Sequence, residues 1–243
     1  MASPRPKTAD GRQLRWEKHN RERRQALIDA AVEVLEQHPP GEEFHVQEVA
    51  DRAGVHRTVV YRHFQDRVDL DLAVQREICA RAAALVVPAV SLDGTPRQIV
   101  HRVVDTYVRW AVAHPALTHF VERELPGAAA KPLDETLQQM AGQVEQIIEV
   151  FLRLVDRPLS ETDRDVLDPW VFGLIGGGFE AVRRWTSRDR LTPRLETFVD
   201  LVTDVAWFQI EGLARSRGVP LPDVPVEELV AQMATGDAAD LRS

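Results

Sequence analysis

Apolar residues along this chain recur every three or four positions, and no stretch alternates convincingly at every second one. Leu27, Ala30, Ala31, Val34 and Leu35 stand at i, i+3, i+4, i+7 and i+8, the spacing that lays one apolar stripe along a helix. Pro39, Pro40 and Gly41 stop that helix. Val46, Val49, Ala50 and Ala53 repeat the pattern over two turns, and Gly54 ends it. A short segment, Arg57 to His63, precedes Phe64. Asp66 is placed to N-cap a longer helix carrying Val68, Leu72, Cys79, Ala82 and Ala83. Pro88, Asp93, Gly94 and Pro96 mark a loop.

The pattern continues to the end. Ile99, Val100, Val103, Val104, Tyr107, Val108 and Ala111 form a stripe closed by His114-Pro115, and Leu117, Phe120 and Val121 fit a shorter helix. A long face runs from Leu133 to Val155. Ser160 with Asp163 three residues on reads as a capping box for a helix running toward Trp185, which Pro169 kinks or restarts. Leu195, Phe198, Val199, Val202, Val205, Ala206, Ile210 and Leu213 make the last stripe, before Gly218, Pro220, Pro222 and Pro225 announce a loose tail. The class is all-α.

Charge and composition narrow the function. The net charge of −8 is the wrong sign for a protein that coats nucleic acid. It is nevertheless an average. Residues 1–24 hold eight basic side chains against three acidic ones, a balance of +5 that leaves −13 for the rest. A localised contact with something anionic and a solvated tail explain that arm equally well. One cysteine, Cys79, makes neither an internal disulfide nor a cysteine-based zinc site. No apolar run approaches the ~20 residues of a membrane span, and the first twenty residues lack a signal-peptide core. These features point to a cytoplasmic protein with no membrane partner. No histidine or carboxylate pair stands at metal-ligand spacing, and no nucleophile–base set is recognisable, so no metal, cofactor or catalytic residue is expected.

The segment from Val46 to Phe64 carries the strongest signal. Two short helices joined at Gly54 are what a helix-turn-helix needs, with Ala50 small at the crossing and Val55 and Val60 anchoring the second helix. Arg57, Thr58, Tyr61, Arg62 and His63 remain for the other faces, as donors suited to phosphates and base edges. On helix pattern alone, a plain helical hairpin fits as well.

Over residues 20–75 the sequence resembles the DNA-binding domain of TetR-type transcriptional regulators. The resemblance lies in Ala53-Gly54-Val55, then Tyr61-Arg62-His63-Phe64, then a basic residue at Arg67. It implies an N-terminal three-helix helix-turn-helix domain followed by a larger helical body that binds a ligand and dimerises through its last two long helices. By the same resemblance, Arg57, Thr58 and Val59 face base edges. Tyr61, His63 and Arg67 meet phosphates, Arg62 serves either role, and Arg15, Lys18, Arg21 and Arg24 follow the backbone or enter a minor groove. His45 and His56 stand where Ser or Thr commonly caps a helix or binds phosphate. Imidazole is a poorer cap, though either ring can donate to a phosphate. Val68 replaces a frequent acidic residue. Five of the eight histidines, His19, His38, His45, His56 and His63, lie in the first 64 residues, so protonation below ~6.5 would strengthen binding if several met phosphates. Surface histidines with no such role are the plainer reading.

For the body, Tyr107, Trp110, His114, Phe120, Met140, Phe151, Trp170 and Phe179 are the candidate effector-binding residues, a mix suited to a mostly apolar small molecule. Ordinary core packing is the plainer reading of any one of them. Gly173, Gly176, Gly177 and Gly178 would cost a helix roughly 3–4 kcal/mol relative to alanine. Close helix approach across a dimer, room for a ligand, or a helix break would each account for them. Gly173, Gly177, Trp185, Phe198, Val202, Ala206 and Ile210 are the expected dimer interface. The expected division is a flexible basic arm at 1–19, a helix-turn-helix domain at 20–66, an effector-binding and dimerisation domain at 67–218 and a tail at 219–243. The function expected is a ligand-responsive regulator, more readily a repressor. It would bind a pseudo-palindromic double-stranded DNA operator as a homodimer and be released by a small apolar effector. An activator or architectural DNA binder without effector is the alternative, and an all-α enzyme a remote one.

Overall fold

A computed structural model of the chain describes residues 11–127, 131–154, 159–219, 221, 224–228 and 231. Among them there are nine principal helices and no strand: α1 (Gly11–Glu36), α2 (Val46–Arg52), α3 (Arg57–His63), α4 (Arg67–Ala89), α5 (Pro96–Ala113), α6 (Pro115–Glu122), α7 (Pro132–Leu154), α8 (Glu161–Thr186) and α9 (Leu195–Ser216). None of these helices is long and apolar enough to cross a membrane.

The helix starts obey local chemistry. Asp66 accepts from the Asp69 N–H at 2.8 Å, so α4 begins where the sequence places it. Thr95 with Gln98 and Ser160 with Asp163 form capping boxes at α5 and α8. Two differences stand out. α1 begins at Gly11, so the expected boundary of a flexible arm at residue 19 falls inside a helix. Residues 13–26 are mostly solvent-facing, and pairs such as Gln13 with Glu17 and Lys18 with Glu22 support the helix without a core. α8 also runs through Pro169 and all four glycines without restarting.

The core of the head joins α1, α2, α3 and α4 through Leu27, Ala31, Leu35, Phe44, Val49, Ala50, Val60, Phe64, Leu70 and Val74. Leu117 and Phe120 of α6 belong to the same cluster, so head and body share one core. A second cluster unites α5, the C-terminal part of α8 and α9 around Val108, Val182, Trp185 and Phe198. There the Trp185 and Phe198 rings stack at 4.3 Å, and the indole N–H donates to the Pro193 carbonyl at 3.1 Å. Both aromatics, expected at a dimer interface, are therefore inside the protomer. A third cluster, Ala141, Leu167 and Val171, packs α7 on the first half of α8.

Of the α4 stripe the sequence suggests, Cys79 is buried while Val68, Leu72, Ala82 and Ala83 are half-buried. Leu70, Ala73, Val74 and Ile78 form the buried face with Cys79, and Asp71 and Gln75 lie among them at 1% and 2% exposure. Arg67 satisfies Asp71, its Nε donating to Oδ1 at 2.7 Å, while its Nη1 donates to the Phe44 carbonyl at 2.9 Å. Arg123 stands 3.9 Å from the same carboxylate and pairs with Glu43 at 2.8 Å. Gln75 donates to the Phe120 and Arg123 carbonyls, both at 2.9 Å, and so closes the end of α6. Burial pushes the Asp71 carboxyl up, against the pull of the Arg67 hydrogen bond and charge. Removing one partner of a buried pair leaves the other uncompensated. Asp71→Ala is expected to cost about 3 kcal/mol in urea denaturation at pH 7, and Asp71→Asn, which keeps an acceptor for Arg67, clearly less.

Candidate nucleic-acid interface and ligand cavity

The turn between α2 and α3 depends on Gly54, whose φ of +65° would strain any residue with a Cβ. Around it the Ala53 N–H bonds the Val49 carbonyl at 3.0 Å and the Val55 N–H bonds the Ala50 carbonyl at 2.9 Å, ending α2. The two histidines at cap positions behave differently. The His56 Nδ1 accepts from the Thr58 N–H at 3.3 Å, so an imidazole does cap α3. At His45 the ring does not cap, and the Glu48 carboxylate takes the His45 N–H at 2.5 Å instead. That hydrogen bond, followed by the charge of His38, holds the Glu48 carboxyl below its usual range.

With Val60 buried as the anchor of α3, the helix turns Arg57, Thr58, Tyr61 and Arg62 to solvent, with Val59 and His63 half-covered. Arg57 donates to the Tyr61 hydroxyl at 3.2 Å and lies 5.6 Å from its ring, which preorganises the two side chains. His45, Gln47, Glu48, Arg57, Tyr61 and Arg67 surround a shallow cleft of about 480 Å³ between α2 and α3. Two expected phosphate contacts are already engaged inside the head. Arg24 lies over the Phe64 ring at 4.5 Å and 3.5 Å from Asp69. Arg67 is held by Asp71 and Phe44, and its Nη2 is buried without a hydrogen-bond partner. Arg5 and Lys7 of the basic arm lie outside the described residues.

The body contains a cavity of about 780 Å³, lined by apolar side chains from the ends of α4 and α5, from α7, α8 and α9, and from Val219, Leu221 and Val226 of the tail. The Val226 N–H bonds the Gly94 carbonyl at 3.0 Å, so the start of the expected loose tail is tied to the body. Gln143 and Gln146 are its neutral polar lining, and Arg217 pairs with Asp163 at its edge. Of the eight expected effector residues, only Phe151 and Trp170 line this cavity. Phe120 is buried in the head-side core, 5.6 Å from Phe44. His114 pairs with Glu36 of α1 at 2.7 Å. Tyr107, Trp110 and Phe179 form a separate ring stack, and Met140 lies half-buried elsewhere.

On the outer side of α9, Leu201, Val205 and Phe208 form one exposed stripe, at 54%, 50% and 67% exposure. Phe172 and Val166 on α8 are exposed too. A Cβ added at Gly173 or Gly177 would meet no atom within 4 Å, so nothing in the protomer requires glycine there. Val202 is half-buried on the internal side of α9, Ala206 is half-buried, and Ile210 lines the cavity. The sequence stripe included Val205 but followed the inward side of α9.

Residues 27–74 match the family described as bacterial regulatory proteins, tetR family. The chain is similar to an uncharacterised HTH-type transcriptional regulator of Mycobacterium tuberculosis, 27% identical over 212 residues that cover 86% of each chain. It is also similar to two proteins of Mycolicibacterium smegmatis. The transcriptional activator FasR is 28% identical over 81% of this chain and 86% of its own, and the transcriptional repressor LfrR is 27% identical over 72% and 86%. Among solved structures, a tetR-family regulator from Streptomyces coelicolor superposes with a TM-score of 0.60, at 20% identity over 89% of this chain and 97% of its own. FadR from Bacillus subtilis, solved with stearoyl-CoA, gives 0.55 at 19% identity over 77% and 98%.

His63 offers a test of the electrostatics of the head. Burial and then the charges of Arg23 and Arg24 hold its imidazole below the usual histidine range. Protonation therefore works against the fold, and the stability tied to the neutral ring is lost as pH falls below ~6.5. In NMR titration His63 should show a midpoint below that of a free histidine, and Arg23→Gln should raise it.

Proposed function

The chain belongs to the TetR family of DNA-binding transcriptional regulators, and from that premise we propose that it acts as a dimeric repressor released from its operator by a small, mostly apolar effector. The observation that carries the reading is the pairing of an exposed Arg57–Thr58–Tyr61–Arg62 face on α3 with a large apolar cavity in the body. In this reading Arg57 reads a guanine through a bidentate contact, and Thr58 and Val59 touch neighbouring base edges. Tyr61, Arg62 and His63 bind phosphate, with His45 and His56 donating from the ends of α2 and α3. Arg67 acts mainly by holding α4 to the head. The exposed helical start of α1 brings Arg15, Lys18 and Arg21 toward the duplex, and Arg24 joins them if it leaves Asp69.

Dimerisation is supported by the uncovered stripe of α9 and by the glycines of α8. A second copy laid across Leu201, Val205 and Phe208 would bury them, and glycines at 173 and 177 would let two α8 helices approach closely. Two heads related by a two-fold axis would read a pseudo-palindrome whose half-sites lie about one helical turn apart. The acidic remainder of the chain would disfavour indiscriminate coating of DNA. The cavity falls within the ~300–1,000 Å³ usual for small-molecule sites, and its lining suits a chain-like apolar ligand such as the acyl group carried by the Bacillus subtilis protein. Occupancy would act on the heads if the ligand binds the released arrangement of the body more tightly than the DNA-bound one. Activation is the second reading, favoured by the similarity to FasR.

Two measurements test this. In fluorescence anisotropy with DNA from upstream of its own gene, binding should weaken steeply with salt. Arg57→Ala should remove about 1–3 kcal/mol of discrimination between that DNA and random duplex, and equal losses on both would overturn its assignment. In analytical ultracentrifugation the protein should sediment as a dimer and Phe208→Asp as a monomer. Gly177→Leu should weaken the dimer, and a fully stable Gly177→Leu dimer with unchanged ligand response would remove the role given to the glycines.

A further inference from the structure

The cavity of the body is open along one side. Five of the apolar residues that line it, Val87, Leu92, Ile147, Val150 and Val166, are exposed to solvent. A contiguous bare apolar surface of this kind marks a place where something docks. An open site also holds a ligand poorly, because small-molecule pockets enclose roughly 70–90% of the ligand surface.

The chain that leaves α9 reaches that opening. The Val219 N–H bonds the Ala214 carbonyl at 2.9 Å, and Val219, Leu221 and Val226 all line the cavity. The Val226 N–H is pinned to the Gly94 carbonyl at 3.0 Å. The loop that carries Gly94 is itself held, since Arg102 donates to the carbonyls of Ala89, Ser91 and Asp93. Val226 begins a helical turn that runs through Glu228. Val226 is buried, whereas Glu227, Glu228 and Ala231 are exposed, so the side that bears Val226 is the one turned to the cavity. Leu229, Val230 and Met233 lie outside the described residues, but their spacing is informative. They stand at i+3, i+4 and i+7 from Val226, on the same side of a helix. Glu227, Glu228, Ala231 and Gln232 fall on the other side.

We propose that the C-terminal segment from Val226 to Met233 docks as an amphipathic helix on the open side of the cavity and forms its missing wall. Val226 anchors the segment, its apolar side covers the bare rim, and the two glutamates stay in water. Entry and release of an effector then require the segment to lift, so it sets how long an effector stays bound. That role rests on the reading of the cavity as an effector site, whereas the docking itself does not.

The test is hydrogen exchange on the full chain, followed by binding of the neutral fluorophore N-phenyl-1-naphthylamine. A free helix this short is marginal in water, so protection of the amides of residues 229–233 requires docking. Leu229→Asp combined with Val230→Asp should speed their exchange about tenfold. The same variant should bind the fluorophore about tenfold more weakly and release it faster, because the site stays open. Gln232→Asp, which adds a charge on the other side, should change neither. Met233→Asp repeats the test if the double variant fails to fold. Exchange in the unaltered chain as fast as in the variants, or tighter fluorophore binding by them, would overturn the proposal. So would loss of the dimer in a folded Val150→Asp chain, which would give the groove to a second copy. Protected amides without fluorophore binding would instead remove the effector reading and leave the docking standing.

Discussion

The Asp71 carboxylate, nearly sealed from solvent, is where head and body are tied together. Arg67 binds it and simultaneously the backbone of Phe44, fixing α4 to the segment that leads into α2. Arg123 approaches it from the far end of α6 and connects to Glu43. One turn along α4, Gln75 takes two carbonyls at the end of α6. A buried ion pair of this kind gives little net stability, but its geometry is strict, because each member left alone is penalised. The position of α3 relative to the body is therefore set by a polar network inside an apolar core, and a change in the body that moves α6 would be felt at the head.

That arrangement separates three chemistries along the molecule. The face of α3 and the start of α1 are cationic and open. The far end of the body, beyond the α4–α6 tie, is apolar and hollow. Between them the Tyr107 hydroxyl and a Glu122 carboxylate oxygen are buried without hydrogen-bond partners. An overall charge of −8 conceals this order, since residues 1–24 carry a balance of +5 and the remainder −13.

What was legible in the sequence was local. Gly54, the short helices on either side of it and the caps at Asp66 and Ser160 depend on residues within a few positions of one another, and the structure has them as the sequence implies. The exposed side chains of α3 follow from the burial of Val60, which is equally local. Asp71 is four residues from Arg67 in the same helix, and only its burial is a tertiary matter. The bond of Arg67 to the Phe44 carbonyl and the contacts of Arg24 with Phe64 and Asp69 were not legible, because those partners depend on how segments distant in sequence pack. Nor was the core face of α4, since Asp71 and Gln75 break the apolar pattern that a stripe-reading relies on.

The sequence by itself determined the helices, their order, the helix-turn-helix and the likeness of residues 27–74 to the tetR family, because period, punctuation and a compact motif are written in neighbouring residues. Leu201, Trp207 and Phe208, interleaved with the inward stripe, also make α9 apolar on more than one side. Only the tertiary structure decided which side is which: Trp185 and Phe198 stack inside the protomer, while Leu201, Val205 and Phe208 are left uncovered. It likewise decided where the body is hollow. The aromatic residues that sequence placed in one pocket are divided between a packed core, a ring stack and a cavity. The physical reason is the same in each case. A helix reports its own periodicity, but its neighbours are chosen by the whole chain, and burial belongs to the pair of surfaces and not to either one.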